Sequence, residues 1–138
     1  MTHQYDDISV TLNDHVAVVE IQRPPHNFFD VSLIRQIANA FDTLDDDPAC
    51  RAIVLASEGK SFCAGANFGS GGSDTSASAE FTEEGFMNTT GTLYREGVRL
   101  FSARKPIVAA VQGAAIGGGL GLSLVADFRI ASPEARFA

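Results

Sequence analysis

VQGAAIGGGLGLSLVADFRIA, residues 111–131, holds three consecutive glycines, 117–119, between two apolar runs. Glycine loses more conformational entropy on folding than other residues do, and it weakens any helix that it enters. A glycine run inside an apolar segment therefore indicates that the backbone closely approaches either another piece of backbone or a ligand. The sequence leaves both explanations open at this point.

The pattern before this stretch predicts strands and helices in α/β order. Residues 8–12 and 15–21 predict a β-hairpin with its turn at Asn13 and Asp14. Asp30 is the predicted N-cap of a helix, because an aspartate side chain accepts hydrogen bonds from the free amides of a first helical turn. The apolar face of that helix comprises Ile34, Ile37, Phe41 and Leu44.

The later apolar segments predict the rest of the fold. Residues 52–57 (AIVLAS) and 106–113 (PIVAAVQG) predict buried strands, the first of them covered on both faces. The apolar spacing over residues 86–101 predicts a long helix. Residues 120–126 predict a short helix after the glycines, and residues 127–132 (DFRIAS) predict a final strand.

The composition excludes several classes of protein and partner. A chain of 138 residues, 45% hydrophobic and 20% charged, is long and apolar enough for one globular domain. Its net charge of −7 disfavours nucleic acid and anionic membranes as partners. No apolar run approaches the roughly 20 residues of a membrane span, and the start of the chain does not resemble a secretory signal. Two cysteines are too few for a disulfide framework or a metal cage, so we expect a cytoplasmic protein without a metal site.

Two glycine-rich loops, residues 63–68 (CAGANF) and 113–121 (GAAIGGGLG), each follow an apolar strand and lead toward a helix. Such turns present free backbone N–H groups, and two of them aimed at one point can bind an oxyanion. The alternative is that small residues there only let helix and strand pack closely. A dinucleotide-binding loop is disfavoured, because the third glycine of its G-x-G-x-x-G pattern falls on Leu122.

Three segments together resemble the crotonase superfamily, that is, the enoyl-CoA hydratase/isomerase family. They are RPPHN at residues 23–27, AIVLASEGKSFCAGANF at 52–68, and KPIVAAVQGAAIGGGLGLSLVADFRIASPEARFA at 105–138. The resemblance implies an α/β fold built as a crotonase-like ββα spiral. It implies a single partial domain over residues 1–138, truncated before the C-terminal helical region. It also implies an enzyme of acyl-CoA thioesters in which coenzyme A is part of the substrate, with no separate cofactor.

The resemblance also assigns roles to residues of this chain. The backbone N–H groups of Ala66 and Gly118 form an oxyanion hole that polarises the thioester, so the glycines would let the thioester reach the backbone. Arg23 meets the CoA phosphates, with an ordinary solvated arginine as the alternative. Tyr94 faces the acyl pocket, unless its ring packs in the core. The groove for pantetheine and adenine is lined by Cys63, Ala64, Asn67 and Phe68.

Two residues depart from the family pattern. Asn67 stands where the family commonly has aspartate, and Gly121 stands where family hydratases carry one of two paired carboxylates. Without that carboxylate, isomerase-, hydratase- or hydrolase-type chemistry needs an acid from further along the chain. The alternative is a non-catalytic acyl-CoA-binding remnant that lacks the catalytic acids.

Some further expectations concern order, assembly and single residues. Residues 69–79 are rich in glycine and serine and are expected to be mobile. The resemblance implies a homo-oligomer at full length, a trimer or hexamer, acting as a lyase or isomerase in fatty acid metabolism. Glu96 is predicted to be a solvated helix charge. Cys63 is not predicted to be a nucleophile, because no paired histidine motif accompanies it.

Overall fold

The computed structural model describes residues 4–66 and 83–138, so the predicted mobile loop 69–79 lies outside the described residues, as do Asn67 and Phe68. Helices and strands follow one another in α/β order, which confirms the predicted class. The elements are β1 (Ile8–Asn13), β2 (Val16–Ile21), α1 (Val31–Asp46), β3 (Ala52–Ser57), α2 (Glu83–Leu100), β4 (Ile107–Val111), β5 (Ala114–Ala115), α3 (Gly118–Leu124), β6 (Phe128–Ala131) and β7 (Arg136–Phe137).

Five of the strands form one mixed sheet in the order β1-β2-β3-β4-β6. β1 and β2 pair in antiparallel fashion, and every other pair in this sheet is parallel. Parallel neighbours need a long crossover between them, and α1 supplies the one that joins β2 to β3. β5 and β7 pair separately as a short parallel ladder, which the sequence analysis did not predict.

The hairpin turn lies one residue later than predicted. Asn13 pairs with Val16, so the turn residues are Asp14 and His15, with φ angles of 47° and 69°. Two consecutive positive φ angles are those of a type I′ turn, whose twist matches that of the flanking strands. β2 accordingly begins at Val16, one residue after the predicted start.

Helix α1 covers one face of the main sheet. The Asp30 side chain accepts a hydrogen bond from the Leu33 amide at 2.9 Å, which confirms the predicted N-cap. The predicted apolar face of α1 is buried, with Ile37 and Phe41 at most 1% exposed. Burying such side chains stabilises the fold by about 1.5–3 kcal/mol each. The sheet residues beneath them are also buried and include Ala17, Val19, Ile21, Ile53, Leu55 and Ala109.

The prediction that β3 is covered on both faces was wrong. β3 spans Ala52–Ser57 as predicted, but its burial alternates, with Ile53 and Leu55 buried and Val54 half-buried between them. The sequence predicts burial on both faces of β3 because the residues on the less covered face, two alanines and a valine, are also apolar. β4 and β6 are each shorter than predicted, and all four residues of β6 are exposed.

Charged residues of helix α2 contact α1, and Leu93, one of its predicted apolar residues, packs half-buried against the core. Glu96 is only 16% exposed at its side chain and accepts hydrogen bonds from Arg35 at 3.1 Å and Arg99 at 2.6 Å. Arg99 also reaches Asp42 of α1 at 2.6 Å. The hydrogen bond from Arg99 holds the pKa of Glu96 below its ordinary value. The prediction of a solvated Glu96 was therefore wrong.

The apolar residues at the outer side of α2 face solvent. Tyr94 and Val98 of the helix, and Phe101 just after it, are between 64% and 71% exposed, whereas Leu100 at the end of the helix is buried. Their spacing of four and three residues is that of one helical face, so the periodicity predicts the helix correctly but not the side that packs. Within the described ranges, no helix is long and apolar enough to cross a membrane.

Candidate functional site

The two glycine-rich loops meet in a second layer of extended segments beside the main sheet. The Ala64 amide donates to the carbonyl of His26 at 2.9 Å, and the Ile116 amide donates to the carbonyl of Cys63 at 3.0 Å. On the far side, the Ala138 amide donates to the carbonyl of Ala115 at 3.2 Å. The first loop is therefore held between the segment before α1 and the segment that leads into α3.

The structure answers the question that the glycine run raises. A Cβ on Gly119 would lie less than 3 Å from the carbonyl oxygen of Cys63, so another piece of backbone occupies that space. A Cβ on Gly118 would lie equally close to the ring of Phe29. Gly117 has φ 56° and opens α3 as its N-cap. Close packing of protein atoms therefore accounts for glycine at positions 118 and 119, and approach of a thioester to the Gly118 amide stays a prediction.

The predicted oxyanion residues Ala66 and Gly118 both keep a free amide among the described residues. Ala66 forms a parallel bridge with Phe29, but the hydrogen bond runs from the Phe29 amide to the carbonyl of Gly65, at 3.1 Å. Gly118 begins α3, where the first amides have no acceptor one turn earlier. Within residues 4–66 and 83–138, neither N–H group has a hydrogen-bond acceptor.

Buried Asn27 fixes the loop that carries the first amide. Its Nδ2 donates to the carbonyl of Glu58 at 2.8 Å and to that of Ser61 at 2.7 Å, and its Oδ1 accepts from the Arg23 amide at 2.9 Å. Asn27 is fully buried. Gln112 supports the same loop from the other side, donating to the carbonyls of Ser57 and Gly59. The sequence analysis gave Asn27 no role, and only its place after two prolines marks it as a turn residue.

Arg23 is neither solvated nor free. Its guanidinium lies 2.7 Å from the carboxylate of Asp7 and 3.1 Å from that of Asp30, and its side chain is 24% exposed. The hydrogen bond from Arg23 holds the pKa of Asp7 below its ordinary value. The interpretation as an ordinary solvated arginine is therefore wrong. A contact between Arg23 and CoA phosphates stays a prediction, and it would compete with two ion pairs.

The other predicted site residues differ in how exposed their side chains are. Cys63 is fully buried, so its side chain does not line an open groove as predicted. Burial raises the pKa of the Cys63 thiol, in keeping with no nucleophilic role. Ala64 is half-buried beside it. Tyr94 is 71% exposed on α2, which excludes the predicted packing of its ring in the core.

Gly121 faces open space. Among the described residues, nothing lies within 4 Å of a Cβ built at this position, and the residue is exposed. Helix α3 has the sequence GGLGLSL, so it contributes no carboxylate. In the described part of the chain, no group of three histidine, cysteine, aspartate or glutamate side chains is placed to hold a metal ion.

Two surface cavities lie away from the free amides. One of about 410 Å³ lies between the N-terminal segment and the outer side of α1, lined by residues that include Tyr5, Ser32 and Gln36. The other, of about 330 Å³, lies between α3 and β6 and includes Leu124 and Arg129. Neither cavity is lined by Ala66 or Gly118.

Comparison with known proteins decides the family. The profile of the family described as enoyl-CoA hydratase/isomerase matches residues 11–138. The chain belongs to this family. Its mixed α/β fold is crotonase-like, as the resemblance of its motifs implied. The match includes both glycine-rich loops and the segment that carries Asn27.

Three similar proteins illustrate the match. A probable enoyl-CoA hydratase of Mycobacterium tuberculosis is 35% identical over 97% of this chain and 50% of its own length. The carnitinyl-CoA dehydratase of Proteus mirabilis is 31% identical over 95% of this chain and 48% of its own. A crystal structure of an enoyl-CoA hydratase from Shewanella pealeana has a TM-score of 0.83, with 32% identity over 97% of this chain and 49% of that one. The chain spans about half the length of the curated relatives that it matches.

Proposed function

We propose that this chain binds acyl-CoA thioesters and that the thioester oxygen accepts hydrogen bonds from the amides of Ala66 and Gly118. The observation that carries the proposal is that both amides lack an acceptor among the described residues, on loops joined by backbone hydrogen bonds. The relatives support the substrate class, because they are named as a probable enoyl-CoA hydratase and a carnitinyl-CoA dehydratase.

The chemistry of such a pair of amides is polarisation of the thioester carbonyl. Two hydrogen bonds to the oxygen stabilise the negative charge that develops there when a proton leaves the α-carbon or a nucleophile adds to the conjugated system. Removal of one such donor typically slows catalysis by about 10²–10³-fold. This activation is common to isomerase-, hydratase- and hydrolase-type reactions, which differ in the acid, base or nucleophile that acts next.

A second candidate function is binding of acyl-CoA without turnover. The observation that favours it is Gly121, which leaves α3 without a carboxylate beside the free amide of Gly118. General acid–base help is typically worth about 10²–10⁴-fold, so polarisation alone gives little turnover. The two candidate functions therefore differ in whether an acid outside the described residues completes the site. The enzyme requires such an acid, and the binding protein lacks it.

We also propose the assembly and setting that the family resemblance implies. The protein acts as a trimer or hexamer in the cytoplasm, as a lyase or isomerase of fatty acid metabolism. Phe128 and Ile130 on β6 support an association surface, because they are 65% and 69% exposed and side by side on one face of the strand.

The test compares two ligands that differ in one oxygen atom. Calorimetric titration with butyryl-CoA and with its thioether analogue, S-butyl-CoA, measures what the carbonyl adds to affinity. We expect the thioester to bind about threefold to tenfold more tightly, the range of a net hydrogen bond. Equal affinities would contradict the oxyanion hole, and no binding of either ligand would contradict the substrate class.

A further inference from the structure

We propose that Phe29 is a positioning residue that sets the distance and angle between the two oxyanion-binding amides, those of Ala66 and Gly118. The proposal rests on the proposed function, because it assigns a role within that same site. Phe29 contacts both halves of the site, one through its backbone and the other through its ring.

The backbone of Phe29 is fixed against the first loop. Its amide donates to the carbonyl of Gly65 at 3.1 Å, which places Phe29 in a parallel bridge with Ala66. The residues on either side are also held. Asn27 is buried with three side-chain hydrogen bonds, and Asp30 caps α1 through the amide of Leu33. The main chain at Phe29 therefore has little freedom to move relative to Ala66.

The ring of Phe29 is fixed against the second loop. The three heavy atoms closest to a Cβ on Gly118, outside its chain neighbours and its own helix, are Cε1, Cζ and Cε2 of Phe29. The ring thus fills the space that a side chain at position 118 would take. Gly118 has no side chain with which to anchor itself, and α3 is only seven residues long. Contact with the ring is what supports the first residue of α3 on this side.

Truncation of the ring should therefore disturb the geometry of the pair while leaving both amides present. Phe29→Ala keeps the backbone bridge to Ala66 but leaves a void against Gly118, into which the start of α3 can shift. Catalytic geometry is sensitive to such shifts, since a displacement of 1 Å can reduce activity by about 10²-fold. Phe29→Leu retains part of the contact and should retain part of the function.

Phe28 is the matched control for this substitution. It is the neighbouring phenylalanine, it is also half-buried, and its ring packs on His26 at a centroid distance of 5.1 Å. Phe28→Ala removes the same number of atoms from the same loop without removing the contact with Gly118. A general loosening of the loop would affect both variants, whereas loss of the contact with Gly118 would affect Phe29→Ala alone.

The experiment measures carbonyl polarisation directly. Butyryl-CoA labelled with ¹³C at the carbonyl is bound to each variant, and its C=O stretching frequency is recorded by infrared difference spectroscopy. Affinities for butyryl-CoA and S-butyl-CoA are measured in parallel. We expect the wild type and Phe28→Ala to lower the stretching frequency and to prefer the thioester. Phe29→Ala should lose most of both effects but bind S-butyl-CoA within about twofold of wild type, with Phe29→Leu in between.

Three outcomes overturn the proposal. In the first, Phe29→Ala keeps the frequency shift and the thioester preference of wild type, so the ring does not set the geometry. In the second, Phe29→Ala and Phe29→Leu bind both ligands equally weakly, which indicates a purely structural role. In the third, the wild type itself shows no thioester preference, which refutes the proposed function as well and is recognised because it does not depend on any variant. If Phe29→Ala does not fold, the same readouts on Phe29→Leu decide.

Discussion

The carbonyl oxygen of Cys63 occupies the space in which Gly119 would otherwise carry a Cβ. The same oxygen accepts a hydrogen bond from the Ile116 amide at 3.0 Å, so the two glycine-rich loops touch at their backbones. A side chain at position 119 would force these loops apart. Close packing of the backbone is therefore a requirement of the fold at this position, whether or not a ligand binds nearby.

Gly119→Ala should destabilise the protein, and Gly121→Ala should not. Both glycines lie within α3, where alanine is intrinsically preferred by up to about 1 kcal/mol. At position 119 the new Cβ meets backbone, and overpacking of this kind typically costs about 1–3 kcal/mol. At position 121 the described neighbours leave open space. Urea unfolding of the two variants and wild type checks this, and equal midpoints for the variants would contradict the packing.

Asn27→Ala should lower the free energy of unfolding by about 1–3 kcal/mol, because it removes the donor from the buried carbonyl of Ser61 and from the partly buried carbonyl of Glu58. The control is Gln112→Ala, which also removes an amide that donates to two carbonyls of the same loop. Gln112 is only half-buried, so water can replace its hydrogen bonds and the loss should be smaller. Thermal unfolding of both variants measures the difference, and a larger effect at Gln112 would be inconsistent with this account.

The contribution of Asp7 to stability should disappear in acid. Because the hydrogen bond from Arg23 lowers the pKa of Asp7 in the folded state, this stabilisation is present above the unfolded pKa near 4 and is lost as the pH falls through the folded value. Asp7→Asn should therefore be less stable than wild type at pH 6, by about 1 kcal/mol or less. The gap should close toward pH 3. The exposed neighbour Asp6 provides the control variant Asp6→Asn, and a gap that widens in acid would contradict the assignment.

Local signals in the sequence predict much of the fold. The Asp30 cap, the buried face of α1 and the bounds of β3 follow from side-chain chemistry and apolar runs within a few residues. The errors arise where local signals are ambiguous. Apolar residues on both faces of β3 do not reveal which face is covered, and the periodicity of α2 does not reveal that Tyr94 points to solvent.

The site is harder to predict because its contacts join distant parts of the chain. The resemblance points to Ala66 and Gly118, but the role of Phe29 depends on neighbours 37 and 89 positions away, at residues 66 and 118. The ion pairs of Arg23 with Asp7 and Asp30 are likewise invisible in the motif that contains Arg23. The local sequence does not distinguish an arginine whose side chain is free to bind phosphate from one that is already paired with two carboxylates.

Hydration of crotonyl-CoA by this chain should be undetectable or very slow, and Gly121→Glu should increase it. The expectation follows from helix α3, whose sequence GGLGLSL has no carboxylate at the position where the family resemblance implies one. The open space at Gly121 should accommodate a glutamate without loss of stability. One general acid or base is worth about 10²–10⁴-fold at most, and less when its partner carboxylate is absent. Loss of the ultraviolet absorbance of the conjugated enoyl thioester follows the reaction.

Gly121→Gln is the control for that gain, because it has nearly the same shape but cannot exchange a proton as a carboxylate does. Fast hydration by the unmodified chain would show that an acid outside α3 already serves the reaction. An equal gain in the glutamine variant would show that side-chain bulk, not proton transfer, causes the change.

The most direct test of the oxyanion hole observes the two amides themselves. Protein labelled with ¹⁵N is titrated with butyryl-CoA and, separately, with S-butyl-CoA, and the amide proton shifts are recorded by NMR spectroscopy. The account predicts that the amide protons of Ala66 and Gly118 move downfield with the thioester and stay nearly unchanged with the thioether, since only the thioester offers a carbonyl acceptor. Saturating thioester that leaves both resonances where the thioether leaves them would contradict it.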